Sequence, residues 1–442
     1  MSEWKKVKIG DFLTEREGRY KPNDKDISTY QRLDKIDFSG NIHISNKPTK
    51  TDMIIVFPGD LVISGINVAK GAISVYQGKE PVCATIHYSS YTFDDKKVDL
   101  DYFKYFVKSP AFIFALQQQV KGGIKTEIKP KHLLPLEISL PDLSTQKEIV
   151  KVLSKKIEKV ELIKSEIESQ KSYAKLLRQN ILQEAIEGKL TEEWRKENPV
   201  IKGNPDFDAE ALFEKIQEEK CHTDSKKKEK SLPEITEDEK PFEIPKGWKW
   251  VRLGEICEIV RGGSPRPAGD KTYYDGNIPF LKVADLTGTN EKELYQFTYT
   301  IKEAGLKKTR LVEKETLMLT NSGATLGIPK ICMIQTTFND GIAAFLGIQE
   351  RILKDYLYYF LKSKTKWFLK EAAKGQGQPN LNTDIVSVTM LPLPPLAEQT
   401  EIVRVVESQL AKVDQLEKQI AERETLTKQM LQSIMKDAFR EE

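Results

Sequence analysis

Two stretches of the chain place apolar side chains three and four residues apart. In the first, Ile149, Leu153, Ile157, Val160, Ile163, Ile167, Ala174, Leu177, Ile181 and Ala185 keep this spacing, and no proline or glycine falls between 145 and 187. In the second, Ile402, Val406, Leu410, Val413, Leu416, Ile420, Met430, Ile434 and Ala438 do the same. Such steps draw one narrow apolar stripe along a helix. Each helix would be about 60 Å long at roughly 1.5 Å per residue. A helix with one apolar seam and charged flanks must pair to bury that seam. The two stripes therefore predict an antiparallel coiled coil within one chain, with pairing between chains as the alternative.

Residues 1–141 and 247–394 read differently. Short β-branched runs end at turn signals, as in Met53-Ile54-Ile55-Val56-Phe57 before Pro58-Gly59-Asp60 and Thr316-Leu317-Met318-Leu319-Thr320 before Asn321-Ser322-Gly323. Aromatic helices near Tyr102–Val120 and Tyr356–Ala373 interrupt them. Both blocks are expected to be α+β. Between them, 191–246 lacks a counterpart elsewhere. A short polar helix is expected over Asp208–Lys220, and a mobile linker over His222–Lys246, rich in Lys, Glu, Ser and Pro.

The blocks repeat. Leu140-Pro141-Asp142-Leu143-Ser144-Thr145-Gln146 falls against Leu393-Pro394-Pro395-Leu396-Ala397-Glu398-Gln399, and the helical stretches that follow keep that offset. Trp4-Lys5-Lys6-Val7 parallels Trp248-Lys249-Trp250-Val251, and Asp101-Tyr102-Phe103 parallels Asp355-Tyr356-Leu357. Three separated matches in one order mean tandem copies of one unit. The resulting organisation is a globular block over 1–141, a long helix over 142–190, a polar helix and charged linker over 191–246, a second block over 247–394 and a second long helix over 395–442.

The chain has 442 residues, and 69 Lys plus Arg stand against 66 Asp plus Glu, giving a net charge of +3. That balance excludes a globally basic, histone-like protein but leaves room for local basic faces. No apolar run approaches the roughly 18 residues needed to span a bilayer, and no signal peptide is legible after Met1-Ser2-Glu3-Trp4. Cys83, Cys221, Cys257 and Cys332 are too scattered for a disulfide framework. A reducing, cytoplasmic setting is expected.

The motifs of catalysis are missing. No Gly-rich Lys-Ser/Thr loop is present for ATP, and Gly323-Ala324-Thr325-Leu326-Gly327 lacks the spacing of a dinucleotide or S-adenosylmethionine loop. Asn198-Pro199-Val200 lacks the stacking aromatic of an amino-methyltransferase. Pro205-Asp206 with Glu218-Glu219-Lys220 lies beside a linker, whereas a nuclease metal site needs a rigid core. The four histidines are dispersed, so neither zinc nor another metal is expected.

What the blocks offer instead are Gly-containing loops bearing Arg, Lys, Asn, Gln and Ser. The first carries Arg16, Arg19, Lys21, Asn67, Lys70, Lys121 and Lys125. The second carries Arg261, Ser264, Arg266, Tyr273, Tyr274, Asn321, Ser322, Thr325, Gln376, Gln378 and Asn380. Arg suits guanine edges, Asn and Gln suit adenine, and Lys anchors phosphate. Two such heads on a stiff spacer could read two half-sites of one duplex.

On Leu393-Pro394-Pro395-Leu396-Ala397-Glu398-Gln399, Gln378-Pro379-Asn380-Leu381, Ile278-Pro279-Phe280-Leu281-Lys282-Val283-Ala284-Asp285-Leu286, Ser322-Gly323-Ala324-Thr325 and Gly188-Lys189-Leu190-Thr191-Glu192-Glu193-Trp194-Arg195, the chain resembles the specificity (S) subunits of type I restriction-modification systems. The first head departs at the Pro-Asn loop, with Lys125-Thr126-Glu127-Ile128 there. The resemblance implies a non-catalytic subunit with two target recognition domains related by a pseudo-twofold, each reading one half of a split, asymmetric DNA sequence. It implies a helical ruler that also scaffolds two methyltransferase (M) subunits and restriction (R) subunits. S-adenosylmethionine, ATP and Mg²⁺ would serve those partners rather than this chain. The competing expectation is a coiled-coil scaffold whose heads bind proteins or peptides.

Overall fold

The computed structural model describes residues 4–38, 40–66, 72–119, 129–223, 232–372 and 380–440. The chain forms two compact units, one of Met1–Gln170 with Gln419–Glu442 and one of Lys171–Lys418. Two long helices, Leu143–Ile186 and Leu396–Ala438, contribute to both.

In the first unit, strands Leu13–Glu15, Tyr88–Phe93, Leu61–Ser64 and Ile73–Val75 form one antiparallel sheet in that order. A second sheet runs Ile42–Ser45, Arg32–Ile36, Val82–Thr85, Met53–Val56, and its central pair is parallel. Strand residues alternate faces. Leu61 and Ile63 therefore join Tyr102, Phe103 and Phe112 of the helices, while Val62 joins Leu33, Val56 and Val82 of the other sheet.

The second unit repeats the plan. Glu258–Arg261, Ile342–Leu346, Thr316–Thr320 and Pro329–Cys332 take the first sheet's order, extended by Glu293–Leu294. Tyr299–Ile301, Tyr274–Leu281, Thr336–Phe338 and Arg310–Val312 take the second, again with a parallel central pair. Met318 stands where Val62 does, facing Leu281 and Phe338. The repeat read from short motifs thus extends to strand order and direction.

Each unit also closes a two-stranded ribbon at the entry to a long helix. Lys5 faces Leu140 in one, and Lys249 faces Leu393 in the other. The repeated glutamine explains itself here. Buried Gln146 donates its amide to the Pro141 carbonyl at 2.8 Å, and buried Gln399 donates to the Pro394 carbonyl at 2.8 Å. Each pins the turn between ribbon and helix.

The long helices pair antiparallel within each unit. In the first, Ile149, Leu153 and Ile157 cluster with Leu431, Met435 and Phe439, while Gln170 accepts from Arg423 at 2.9 Å. In the second, Arg178 binds Asp414 and Glu417, and further along Arg195 meets Glu398. One line of buried positions recurs every seven residues: Leu153, Val160, Ile167, Ala174 and Ile181 on one helix, Val406, Val413, Ile420 and Thr427 on the other. A strict seven-residue repeat keeps a seam in phase as two helices supercoil. Ile402 and Leu410 are also buried, and Ile163 and Ile434 partly so.

Three expected seam residues do not belong to it. Leu177 is 43% exposed, Leu416 45% and Met430 46%. Around the first two, the contact is the polar one between Arg178 and Asp414/Glu417, which leaves both leucines on the flank. Thr427 and Leu431 occupy the seam where Met430 was expected, and the buried Thr427 hydroxyl is satisfied by the Arg423 carbonyl at 2.7 Å.

The expected polar helix is present and runs Ala209–Thr223, with Leu212 and Ile216 buried. Of the stretch expected to be a mobile linker, 233–239 is instead fixed to the second unit. Buried Arg252 donates to the carbonyls of Pro233 and Glu234 and to the Glu239 carboxylate, which clamps 233–239 onto the fold. Charged composition does not prevent ordering when the charges find fixed partners. The run 226–230 lies outside the described residues.

Candidate nucleic-acid interface

The best-defined loop cluster is in the second unit, where three chain segments meet. Gly262 N donates to Ile342 O at 3.1 Å, and Gly263 N to Phe338 O at 3.1 Å. A Cβ on Gly262 would strike the Phe338 and Asn339 carbonyls, and one on Gly263 would strike the Lys308 carbonyl. Only glycine allows this approach. It brings the Arg261–Arg266 loop onto the turn Asn339-Asp340-Gly341.

Asp340 organises that turn. Arg261 Nε donates to its carbonyl at 2.6 Å, and the Ser264 hydroxyl donates to its carboxylate at 2.6 Å. Arg310 Nε in turn donates to the Arg261 carbonyl at 3.0 Å. On the other side, Asn321 N donates to Gly341 O at 2.9 Å, Leu381 N to Asn321 O at 2.7 Å, and Ser322 bridges to Asn380. Arg261, Ser264, Ser322 and Asn380 are thus gathered at one edge. Arg261, Arg266, Thr325 and Asn380 are exposed.

Two candidates in this unit play other parts. Tyr274 is buried, and its hydroxyl donates to the Pro265 carbonyl at 2.9 Å, so it supports the loop that presents Arg266. Asn321 is 1% exposed, and its side-chain amide finds no hydrogen-bond partner among the described residues. Tyr273 is half-buried. Gln376 and Gln378 lie outside the described residues.

Sequence reasoning missed Asp340, Arg310, and the pair of Lys282 and Tyr299, whose ammonium sits 3.3 Å from the ring centroid. The Asp340-Gly341 dipeptide between two β-rich runs was a legible turn signal, although the strands it joins lie in different sheets. Arg310 and Tyr299 carry no local signal, because only the strand pairing brings them here.

In the first unit Arg16 is committed elsewhere. Its guanidinium grips the buried Asp60 carboxylate at 3.0–3.3 Å and lies 4.5 Å over the Phe57 ring. Asp60 also accepts from the Ser90 hydroxyl and the Phe57 N–H. Arg16 therefore braces a buried carboxylate, with 37% of its side chain still exposed. Arg19 and Lys21 are exposed, and Lys21 lies 3.2 Å from Asp52. Asn67, Lys70, Lys121 and Lys125 lie outside the described residues.

Among the described residues, no group of three His, Cys, Asp or Glu side chains could hold a metal ion, and no helix is long and apolar enough to cross a membrane. Burial pushes the Cys257 thiol up to about 12 and the Cys332 thiol up to about 11, which keeps both from acting as nucleophiles.

Comparison with known proteins agrees with this architecture. The family model described as "Type I restriction modification DNA specificity domain" matches residues 1–170 and 245–423. The EcoDI specificity subunit of Escherichia coli is 28% identical over 73% of this chain and 66% of its own length. The EcoKI specificity subunit of E. coli strain K12 is 24% identical over 88% of this chain and 75% of its own. The match to the E. coli EcoEI specificity subunit, 26% identical over 55% of this chain, spans only 41% of that relative. In fold, the chain resembles a solved chain of a type I R-M system, with a TM-score of 0.67 at 20% identity over 99% of this chain and 98% of that one. It also resembles the HsdS subunit from Thermoanaerobacter tengcongensis, with a TM-score of 0.50 at 20% identity over 99% and 97%. With matches to both heads and more than half of its length, the chain belongs to the type I restriction-modification DNA specificity family.

Proposed function

We propose that the chain is the non-catalytic DNA-recognition subunit of a type I restriction-modification complex. Each head reads one half of a bipartite, asymmetric duplex sequence, and the paired helices set the gap between halves. The observation that supports this best is the repetition of one strand order in two heads whose loops differ. The same scaffold with unlike loops suits two unlike half-sites. The exposed helix flanks would receive two methyltransferase subunits, and restriction subunits would join them. S-adenosylmethionine, ATP and Mg²⁺ would be bound by those partners, and the complex would work in the cytoplasm.

Methylome sequencing of cells expressing this chain with its methyltransferase subunit tests the proposal. A split asymmetric motif that vanishes when the chain is deleted supports it. A contiguous motif, or none, overturns it. Duplex binding by the purified complex should fall steeply with log[salt]. Heads that instead hold peptides, with no such slope, would return the scaffold reading.

A further inference from the structure

The repeat supplies an internal template for a groove beside each ribbon. In the second unit a helix fills it. Ala209 N donates to Gly247 O at 3.0 Å, Lys249 pairs with Glu210 at 2.7 Å, and Lys215 pairs with Glu350 at 2.9 Å. Gln217 donates its amide to Glu255 O at 2.7 Å, while Leu396 N donates to Pro205 O just before the helix. Ala209, Leu212 and Ile216 turn inward from this helix and are buried. They lie at helical spacings that form one face.

The equivalent place in the first unit is a cavity of about 450 Å³, lined among others by Lys5, Val7, Phe12, Lys96, Leu140 and Leu143. By the repeat, Lys5 stands for Lys249, Leu140 for Leu393, Leu143 for Leu396, and Lys96 for Glu350. The floor is apolar in both units. The charge at one lip is reversed, because Lys96 replaces the carboxylate that holds Lys215. Lys97 Nζ donates to Asp11 O at 2.8 Å, taking the place that Gln217 takes on Glu255.

We propose that this first-unit groove docks an amphipathic helix of a partner protein. The helix has the apolar face of Ala209, Leu212 and Ile216, one carboxylate to meet Lys5 as Glu210 meets Lys249, and a second carboxylate to meet Lys96 where its template has Lys215. The geometry comes from the chain's own filled copy, and the sign of the flank comes from Lys5, Lys96 and Lys97, which outnumber Asp11 and Asp142 around the cavity. This inference does not depend on the DNA-reading proposal.

A fluorescent peptide with the sequence of 205–220 carrying Lys215→Glu, titrated into the full chain, tests it. Saturable binding is expected, weakening as salt rises. Reversing both lip charges, with Lys5→Glu and Lys96→Glu together, should weaken it about tenfold, which corresponds to about 1.4 kcal/mol for two exposed pairs. Both lysines are exposed, so the variant should keep its fold, which circular dichroism checks. A photo-reactive group at the position of Leu212 should label the segment Val7–Phe12. No saturable binding, binding indifferent to the charge reversal, or labelling of the second-unit groove by displacement of its own helix would each overturn the proposal.

Discussion

The indole N–H of Trp248 donates to the carboxylate of Glu398 at 2.7 Å, and both residues are buried. The same carboxylate accepts from the Thr191 hydroxyl at 2.7 Å and pairs with Arg195. One acid in the first turn of the second long helix thus joins the entry strand of a head to the segment that leaves the first long helix. Its position near a helix N-terminus also favours the negative charge.

Replacing Glu398 with Ala would leave three donors without their acceptor. A loss of about 3 kcal/mol is expected for breaking a buried, hydrogen-bonded pair. Urea unfolding of the second unit's tryptophan signal would measure it, and an unchanged midpoint would show that water replaces the carboxylate.

The helix pair can be lengthened in phase. Inserting one heptad after Ser169 and a matching heptad before Arg423 preserves the seven-residue seam and adds about 10 Å. If the helices set the gap in the target, that gap should grow by about three base pairs at roughly 3.4 Å each. Methylome sequencing reads it, and an unchanged gap would refute the ruler.

Arg266 is exposed on a loop braced by the Tyr274 hydroxyl. Arg266→Ala should cost about 1–3 kcal/mol of discrimination at one position of one half-site if Arg266 reads a guanine. A uniform loss across sequences would mark a phosphate contact instead. Tyr274→Phe removes only the brace, so it should blunt discrimination less. Binding measured across single-base variants of the target separates these outcomes.

Lys330 is buried, and its ammonium donates to the carbonyls of Thr289 and Glu291. Burial lowers its pKa from the usual 10.5 to about 8. Below pH 8 the folded and unfolded chains both hold this proton, and the burden of burying the charge is fully present. Between pH 8 and 10.5 the unfolded chain binds more protons, so this lysine's contribution to stability rises with pH. Against Lys330→Met, wild-type urea stability should gain about 2 kcal/mol across that window, taking most of one pKa shift at about 1.4 kcal/mol per unit. A constant difference would show that Lys330 keeps its ordinary pKa.

The duplication, the two long helices and their mutual pairing were legible in the residues, because helical periodicity and repeated motifs are local properties of a chain. The seam was legible only in part. Steps of three and four fit Leu177, Leu416 and Met430 as well as Leu153, and so does a seven-residue phase, since Leu177 follows Ile149 and Leu416 follows Ile402 in whole heptads; only the contact between two helices leaves these three exposed. Arg16 and Tyr274 show the same limit at the loops. An arginine looks alike in sequence whether it faces solvent or grips a buried Asp60, and a tyrosine looks alike whether it meets a base or holds a carbonyl.

By itself, the sequence determined that one unit occurs twice, that each copy ends in a helix with a single apolar stripe, and that its motifs place it beside a known family. Folding in three dimensions settled which polar side chains are committed to internal partners, that 233–239 is fastened to the second unit, and that, among the described residues, one ribbon groove is filled while its counterpart is a cavity. The physical reason is range. Periodicity and turn chemistry act over a few residues, whereas a salt bridge, a buried carboxylate or a docked helix joins positions far apart in sequence, and only packing brings those positions together.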